Sequence, residues 1–338
     1  MQILRDNNPL WDEYVQAHPD GTVFHLTAWK RVVEKSFGHK SHYFSAEDQG
    51  RICGILPVGE INSRLFGHYM VSVPFAEIGG PLADDSATAQ ALVDQAASLA
   101  DQKNVQYLEV RSRAELPGLP VKSLYYNFRK QISDDHEKNL LAIPRKSRAM
   151  VRNAIKKGLT AEFGHHLLPE FYKILALNYH RLGTPVFPEK FFSHFLAEFG
   201  HTADLLVVRT KQGAPAAAVL FFTFKDQMIP YYAGSDFTHR NLGPNDFMYW
   251  ELMKRAVETG CTIFDFGRSK QDTGSFRFKK HWGFDPVPLA YQYHLVQAPA
   301  VPNLSPANPK YQKKIQMWQK MPHPLTKLIG PFIARSLG

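Results

Sequence analysis

Apolar and polar positions switch between helical and strand-like spacing several times along the chain. In its first part, apolar residues at helical spacing predict helices over residues 26–37 and 86–102. Short apolar or alternating runs predict strands over residues 42–46, 52–58 and 105–111. This mixture of elements predicts an α+β or α/β fold for the first part of the chain.

The second part of the chain contains more helices and a denser run of strands. Helices are predicted over residues 143–158, 169–181, 188–199, 246–259 and 275–281, and strands over residues 205–208, 216–224, 228–235, 262–267 and 289–296. A Pro-rich segment then leads into a basic helical tail that three prolines interrupt. These patterns predict a first domain at 1–134, a second at 135–297, and a linker with a basic helical tail at 298–338.

Length and composition agree with two folded domains. The chain has 338 residues, of which 44% are hydrophobic and 21% charged, and this excludes a disordered or collagen-like chain. Cys53 and Cys261 lie in apolar runs, which predicts two buried thiols and excludes a disulfide framework. The N-terminus has no apolar signal core, and the longest charge-free apolar stretch is too short to span a bilayer. The sequence therefore predicts a cytoplasmic protein without a transmembrane segment.

The net charge of +9 is concentrated in two segments. Residues 145–157 contain six basic residues and no acidic one, and six more follow Asp285 without any Asp or Glu. Positive clusters attract phosphates and anionic lipid headgroups, but a solvated helix face has the same composition. The tail also carries apolar residues, which predicts either contact with an anionic membrane surface or packing on the body of the protein.

Several common catalytic motifs are missing from the sequence. It has no Gly-x-Gly-x-x-Gly fingerprint, and Glu60 replaces the lysine that a P-loop requires. Residues 267–270 lack the second glycine of a hydrolase nucleophile elbow. The histidines show no metal-ligand spacing, so no metal site is predicted.

One loop, residues 240–245, has the features of an anion site. It joins a predicted strand to a predicted helix, whose first turn offers unpaired N–H groups and the positive end of a dipole. Gly243 would let the backbone approach an anion, and Arg240 would add charged donors. The loop therefore predicts a phosphate or pyrophosphate site, and the alternative is an ordinary turn with Asn245 as the helix N-cap.

The same loop resembles the Arg/Gln-x-x-Gly-x-Gly/Ala pyrophosphate loop of GNAT acyltransferases, with Asn245 in the last small position. The order strand, loop, helix, strand, short helix, strand is also the order of that fold. A closer resemblance is to the FemAB-like branch, and it extends to the subgroup found with exosortase and exopolysaccharide systems. The matching segments are residues 146–158, 180–187, 231–236, 245–250, 264–269 and 276–279, with Trp282 and Gly283.

This resemblance implies an α/β fold of two tandem GNAT-like domains, each a twisted mixed sheet flanked by helices, plus the basic tail. It implies an acyl or aminoacyl transferase that forms an amide on an amino group of a peptidoglycan, other cell-envelope or exopolysaccharide precursor. The donor would be acyl-CoA, an acyl carrier protein thioester or aminoacyl-tRNA, with no permanently bound cofactor. The usual Arg-Asp-Gly segment reads Arg181-Leu-Gly here, which leaves the acceptor open.

The resemblance also assigns roles around the donor. Lys279 would contact the donor carbonyl, where an ammonium stabilises an oxyanion, and its alternative is a surface lysine. Asp265 would be a base or would pair with Arg268 or Arg277, and pairing is favoured. The residues expected to bind the donor are Arg240, Gly243, Asn245 and Arg268.

Further residues are candidates for substrate binding. Arg181 would hold a phosphate or carboxylate of the acceptor, or would only be a charge at a helix C-terminus. Trp29, Tyr231 and Tyr232 would line the acceptor groove, unless they belong to the core. Arg148 and Arg152 share a helix face that would follow a tRNA or carrier phosphate. A catalytically inactive scaffold that binds an anionic partner or membrane is the alternative to an enzyme.

Overall fold

A computed structural model describes residues 1–5, 8–302 and 309–337 of the chain. The chain forms two compact units, of which the first contains Met1–Tyr125, Pro288–Leu304 and Arg335–Gly338, and the second contains Tyr126–Val287 and Ser305–Ala334. This division differs from the one expected from the sequence, because Pro288–Leu304 groups with the first unit and most of the tail groups with the second. Among the described residues, no helix has both the length and the hydropathy needed to cross a bilayer.

The first 125 residues alternate short helices with strands. Their elements are β1 (Gln2–Arg5), α1 (Trp11–Ala17), α2 (Thr27–Phe37), β2 (Lys40–Asp48), β3 (Arg51–Ser63), β4 (Gly67–Ser72), β5 (Leu82–Ala83), α3 (Ser86–Gln102), β6 (Tyr107–Ser112) and β7 (Val121–Lys122). Helix α3 is rich in alanine, and the carboxylate of Asp85 caps it by accepting a hydrogen bond from the Thr88 N–H. The helices and strands predicted in this part are all present.

The middle of the chain contains more helices. Its elements are β8 (Tyr125–Gln131), α4 (His136–Ala142), α5 (Arg145–Lys156), β9 (Thr160–Phe163), α6 (Leu168–Leu182), α7 (Glu189–Phe199), β10 (Ala203–Arg209), β11 (Pro215–Phe224), β12 (Gln227–Ser235), α8 (Pro244–Glu258), β13 (Ile263–Lys270), α9 (Gly274–His281) and β14 (Val287–Pro288). After it come β15 (Ala290–Leu295), α10 (Pro309–Lys320) and α11 (His323–Ala334). The Pro-rich segment that was predicted as a linker lies partly outside the described residues.

The first unit is built on an eight-stranded sheet in the order β1–β2–β3–β4–β6–β15–β7, with β5 paired to β3. Strands β4 and β6 are parallel and pair Met70 with Leu108. Strand β15 lies between β6 and β7 and is antiparallel to both. Apolar side chains of α3 pack on this sheet and bury Cys53 among them, as the sequence predicted.

The second unit contains a seven-stranded sheet in the order β14–β8–β13–β12–β11–β10–β9. The pairs from β9 to β12 are antiparallel, and β12 and β13 are parallel. Helices α5 and α8 pack together, and α6 packs on β11 and β12. The buried Cys261 belongs to the apolar core of this unit. Both units therefore have the mixed α/β fold that was predicted.

The tail packs on α6 of the second unit. Ile315 lies against Gly183, and the Gln319 side chain donates a hydrogen bond of 2.8 Å to the carbonyl of Arg181. The ring of His180 donates one of 2.9 Å to the carbonyl of Met321. Of the two environments considered for the tail, packing on the body is thus present in the structure.

Candidate active site

Two parallel strands of the second unit separate soon after they pair. Within the described residues, the ladder joins Gln227 to Ile263 and Met228 to Phe264. Strand β12 nevertheless continues to Ser235 and β13 to Lys270. The carboxyl ends of parallel strands are the place where α/β sheets commonly bind ligands.

Lys279 lies at this end of β13. It is on α9 and is only 7% exposed, and its Nζ donates hydrogen bonds of 3.0 Å to the carbonyls of Gly267 and Arg268. Its charge also lies 5.5 Å from the centre of the Phe128 ring. Charge-assisted hydrogen bonds of this kind make a buried ammonium tolerable. A surface lysine, the alternative considered for this position, is therefore wrong, whereas Lys280 beside it is exposed.

Asp265 is buried on the same strand, two residues before a bend. Gly267 has a φ of +68°, and its N–H donates to the Asp265 carboxylate at 2.8 Å. The Asn127 amide donates a longer hydrogen bond of 3.4 Å to the same carboxylate. Arg277 instead donates to the carbonyl of Asp272, so pairing of Asp265 with Arg277 is wrong. The carboxylate is thus held by the chain and close in sequence to the carbonyls that hold Lys279.

Two buried oxygen atoms on these strands have no hydrogen-bond partner among the described residues. They are the side-chain oxygen of Asn127 on β8 and the hydroxyl of Ser269 on β13. Burying a polar atom without a partner costs about 1–3 kcal/mol, and five other side-chain atoms among the described residues are in the same state. The sequence analysis gave neither residue a role, because neither lies in an apolar run that would mark a polar side chain as buried.

The loop at residues 240–245 is more compact than its sequence suggested. Residues Phe237–Leu242 form a 3-10 helix, and α8 begins at Pro244, so Asn245 lies inside the first turn and is not the N-cap. Gly243 caps α8 with a φ of +74°, is buried, and donates its N–H to the Arg240 carbonyl. Helix α5 lies on the side-chain side of this glycine, where a Cβ would be 3.4 Å from Met150, so the approach of an anion to Gly243 stays a prediction for the opposite side.

Arg181 and Arg240 meet on one aromatic ring. The Arg240 guanidinium carbon lies 4.0 Å from the centre of the Phe237 ring, and that of Arg181 lies 5.1 Å from it. Arg181 also donates to the Asn178 side chain at 3.0 Å. Both arginines are exposed and Phe237 is 49% exposed, so the three form a basic patch open to solvent. The sequence assigned the two arginines to different substrates and gave no role to Phe237.

The aromatic residues expected in an acceptor groove differ in their surroundings. Trp29 is 1% exposed, and its indole donates to the carbonyl of Pro74 in the first unit, so it is a core residue and its assignment to a groove is wrong. Tyr232 is 8% exposed and packs among the phenylalanines of α7. Tyr231 is half-buried and contacts Tyr232 edge to face. Of these three, Tyr231 is the one that solvent reaches most readily.

The basic helix α5 keeps its charges on the surface. Arg148 donates to the carbonyl of Leu141 at 2.8 Å, and Arg152 is 3.8 Å from Glu137. Lys157, just after the helix, donates to the carbonyl of Asn241 and so ties α5 to the 3-10 helix. The predicted basic face is present, and it adjoins the loop that carries Arg240.

The first unit has a similar separation of parallel strands, between β4 and β6, but its own chain fills it. The N–H groups of Gly79 and Gly80 donate to the carbonyl of Arg111, and the Arg111 side chain donates to the carbonyl of Ala76. The Arg111 N–H in turn donates to the Ser72 hydroxyl. In the first unit, the backbone groups at this separation are therefore hydrogen-bonded within the chain.

Comparison with known proteins agrees with this geometry. Residues 145–280 match the family described as "Acetyltransferase (GNAT) domain". The Lipid II:glycine glycyltransferases of Staphylococcus epidermidis and Staphylococcus saprophyticus are 32% and 31% identical to this chain over 117 residues. Each match covers 30% of this chain and 28% of the relative, so it spans less than a third of the curated relatives.

Solved structures of similar fold cover most of the chain. FemX has a TM-score of 0.67 at 17% identity, over 94% of this chain and 100% of that chain. L-PGS from Bacillus licheniformis has a TM-score of 0.54 at 13% identity, over 87% of this chain and 96% of that chain. A tandem GNAT protein from the clavulanic acid biosynthesis pathway has a TM-score of 0.53 at 11% identity, over 89% of this chain and 99% of that chain.

At these identities the structural similarity concerns the fold, and it confirms the predicted tandem GNAT architecture. The family match, at residues 145–280, falls within the second unit. Residues 145–280 therefore match a GNAT acetyltransferase domain, part of the chain is similar to Lipid II:glycine glycyltransferases, and the chain shares the fold of FemX.

Proposed function

We propose that this protein is an acyl or aminoacyl transferase that forms an amide on an amino group of a cell-envelope or exopolysaccharide precursor. The observation that carries the proposal is the buried Lys279 ammonium, held by two carbonyls where β13 leaves β12. A fixed charge in a water-poor site stabilises a developing oxyanion far better than a charge in solvent. The similarity to Lipid II:glycine glycyltransferases supports an envelope precursor as the acceptor.

In the proposed reaction, the acceptor nitrogen attacks the carbonyl carbon of a donor ester or thioester. A C–N bond forms, the carbonyl oxygen becomes negative, and the C–O or C–S bond to the carrier then breaks. The proton lost by nitrogen passes to the departing oxygen or sulfur, so charge and atoms balance. We assign Lys279 to the oxyanion and Asp265, whose carboxylate Gly267 and Asn127 orient, to the proton transfer.

The donor is aminoacyl-tRNA or an acyl thioester of coenzyme A or acyl carrier protein. All three carry phosphate, and we assign Arg240 and Arg268 to it, with Asn245 in the first turn of α8. Arg181 shares the Phe237 ring with Arg240, so an anion of the acceptor and one of the donor would occupy a single patch. The exposed face of α5 suits a longer polyanion such as tRNA.

The proposal places the protein in the cytoplasm, in peripheral contact with the inner face of the membrane. A precursor attached to lipid is reached from the membrane surface, and the tail combines basic with apolar residues. The contact would bring the transferase to its acceptor.

The proposal is tested by measuring the binding of two donors and the transfer of their acyl group to one acceptor. Native mass spectrometry of the full chain with glycyl-tRNA and with acetyl-CoA measures donor binding, and radiolabelled donor measures transfer to Lipid II. We expect one donor to bind and its label to appear on Lipid II as an amide, while Lipid II with its amine acetylated beforehand stays unlabelled. A folded protein that binds neither donor and transfers no label would contradict the proposal and favour the inactive scaffold.

A further inference from the structure

Helix α11 packs on the second unit with its small residues. Its buried positions are Thr326, Gly330 and Ala334, which recur every four residues and so share one face. A Cβ at Gly330 would lie 3.1 Å from the main chain of Val186, so the two backbones are in close contact. The face of α11 that contains these three residues thus packs closely against the second unit and has no room for larger side chains.

The opposite face of α11 carries large apolar side chains that remain in solvent. Leu328 is 69% exposed, Phe332 is 68% exposed and Leu325 is 45% exposed. Their spacing of three, four and seven residues places them on one stripe of the helix. A helix on the surface of a globular domain normally buries its large apolar side chains. In α11 the small residues are buried and the large apolar residues are exposed, which is the reverse arrangement.

Helix α10 also has exposed apolar and basic residues. Trp318 is buried against the body, whereas Met317 is 68% exposed and Lys313 and Lys320, on the same side as Met317, are exposed too. No acidic residue follows Asp285 in the sequence. We call the outer tail surface the set formed by Lys313, Met317, Lys320, Leu325, Leu328 and Phe332.

We propose that the outer tail surface docks on an anionic lipid bilayer while α10 and α11 stay packed on the second unit. The apolar stripe would enter the boundary between headgroups and acyl chains, and the lysines would contact lipid phosphates. The inner face would keep its contacts with α6, so docking would hold the whole second unit at the membrane. This deepens the membrane contact of the proposed function and rests on it for the choice of partner.

The positive charge of the outer tail surface indicates which partner it binds, an anionic bilayer or a second copy of the chain. In a symmetric dimer through this surface, the same patch of both copies would meet, and lysines would face a surface that carries no acidic residue. Like charges facing each other oppose association, whereas anionic headgroups complement them. The outer tail surface therefore fits an anionic bilayer better than it fits itself.

Vesicle flotation of the full chain tests the proposal. The probe is a phosphatidylglycerol–phosphatidylcholine vesicle, with pure phosphatidylcholine as the neutral reference. The double variant Leu328→Ser/Phe332→Ser should lower binding to the anionic vesicle at least about tenfold, and Lys313→Gln/Lys320→Gln should lower it about fivefold per lysine at low salt and little at high salt. Leu65→Ser is the matched control, because Leu65 is also 69% exposed but belongs to the first unit.

Hydrogen exchange of α11 on the vesicle separates docking from detachment. Retained protection of the amides of Thr326, Gly330 and Ala334 is expected, and loss of that protection would overturn docking in the packed state. Equal flotation of the apolar double variant and Leu65→Ser would overturn the proposal. So would a lipid-free dimer, seen by sedimentation, that the apolar double variant abolishes. Transfer to a water-soluble amine acceptor without lipid reports the proposed function separately, and the apolar double variant should leave it unchanged.

Discussion

Replacing Lys279 by methionine removes the ammonium from the second unit and keeps a side chain of similar length. The hydrogen bonds of 3.0 Å to the carbonyls of Gly267 and Arg268 are lost. Each buried carbonyl without its donor costs about 1–3 kcal/mol, and this is partly offset because no charge has to be buried any longer. We expect Lys279→Met to lower the free energy of unfolding by about 1–3 kcal/mol.

The effect on the reaction should exceed the effect on stability. Removing one group that stabilises an oxyanion lowers turnover about 100- to 1000-fold, which corresponds to about 2.7–4 kcal/mol. Because the ammonium would act on the developing charge, kcat should fall while the donor KM changes little. Lys279→Arg should restore little, since a planar guanidinium does not fit between carbonyls placed for a compact ammonium.

The assay is amide formation at saturating donor, with the folded fraction measured by circular dichroism and thermal unfolding. Lys280→Met is the matched control, because Lys280 is the next residue and is exposed, and such surface changes are usually near neutral. Equal turnover per folded molecule in Lys279→Met and Lys280→Met would remove Lys279 from the mechanism. The buried ammonium would then only stabilise the fold.

Three further predictions concern other parts of the chain. Phe237→Ala should weaken donor binding about tenfold, or about 1.4 kcal/mol, because Arg181 and Arg240 lose the ring that orients them. Calorimetry measures the affinity, and Phe237→Tyr is the control because it keeps the ring. Burial and nearby positive charges lower the pKa of His323 below its usual value, so its contribution to tail packing is complete above about pH 6.5 and is lost as the pH falls through the lowered pKa. Hydrogen exchange of α11 should accelerate over that range, and less so in His323→Gln. Although burial opposes it, hydrogen bonds from two histidines and a lysine lower the pKa of Glu60 to about 2. Glu60 therefore stabilises the first unit above its ordinary pKa of 4.5 and loses this effect as the pH falls towards 2, and Glu60→Gln should lower the melting temperature at neutral pH and flatten that acid dependence.

Most elements of this fold follow from local patterns in the sequence. Alternating or continuous apolar runs located the main strands, and helical spacing located α2, α3 and α5. The start of α8 was misplaced by two residues, because proline in the first turn and a left-handed glycine before it set the boundary. The assignment of the last strand to the second unit failed for another reason, since its neighbours in the sheet are chosen by contacts distant in sequence.

The candidate site was predictable in part. Family motifs pointed to Lys279, Asp265 and Arg240, but a lysine on a short basic helix gives no local sign that it is buried. The meeting of Arg181 with Arg240 depends on how a 3-10 helix places Phe237 between them. Residue spacing alone cannot predict this contact between the two arginines and the ring. The backbone hydrogen bonds of Gly243 to Arg240 and Phe247 likewise could not be predicted before the fold was known.

The position of β15 sets the order in which this protein can fold during synthesis. Its buried Gln292 exchanges two hydrogen bonds with the main chain of Leu116, a residue 176 positions earlier. At about 5–20 residues per second, a ribosome needs roughly 10–35 s to add the intervening chain. During that interval β6 and β7 lack the strand between them and expose open edges to neighbouring chains. A fragment that ends before residue 290 would lack β15 and would keep these edges open permanently, which makes it prone to pair with other chains.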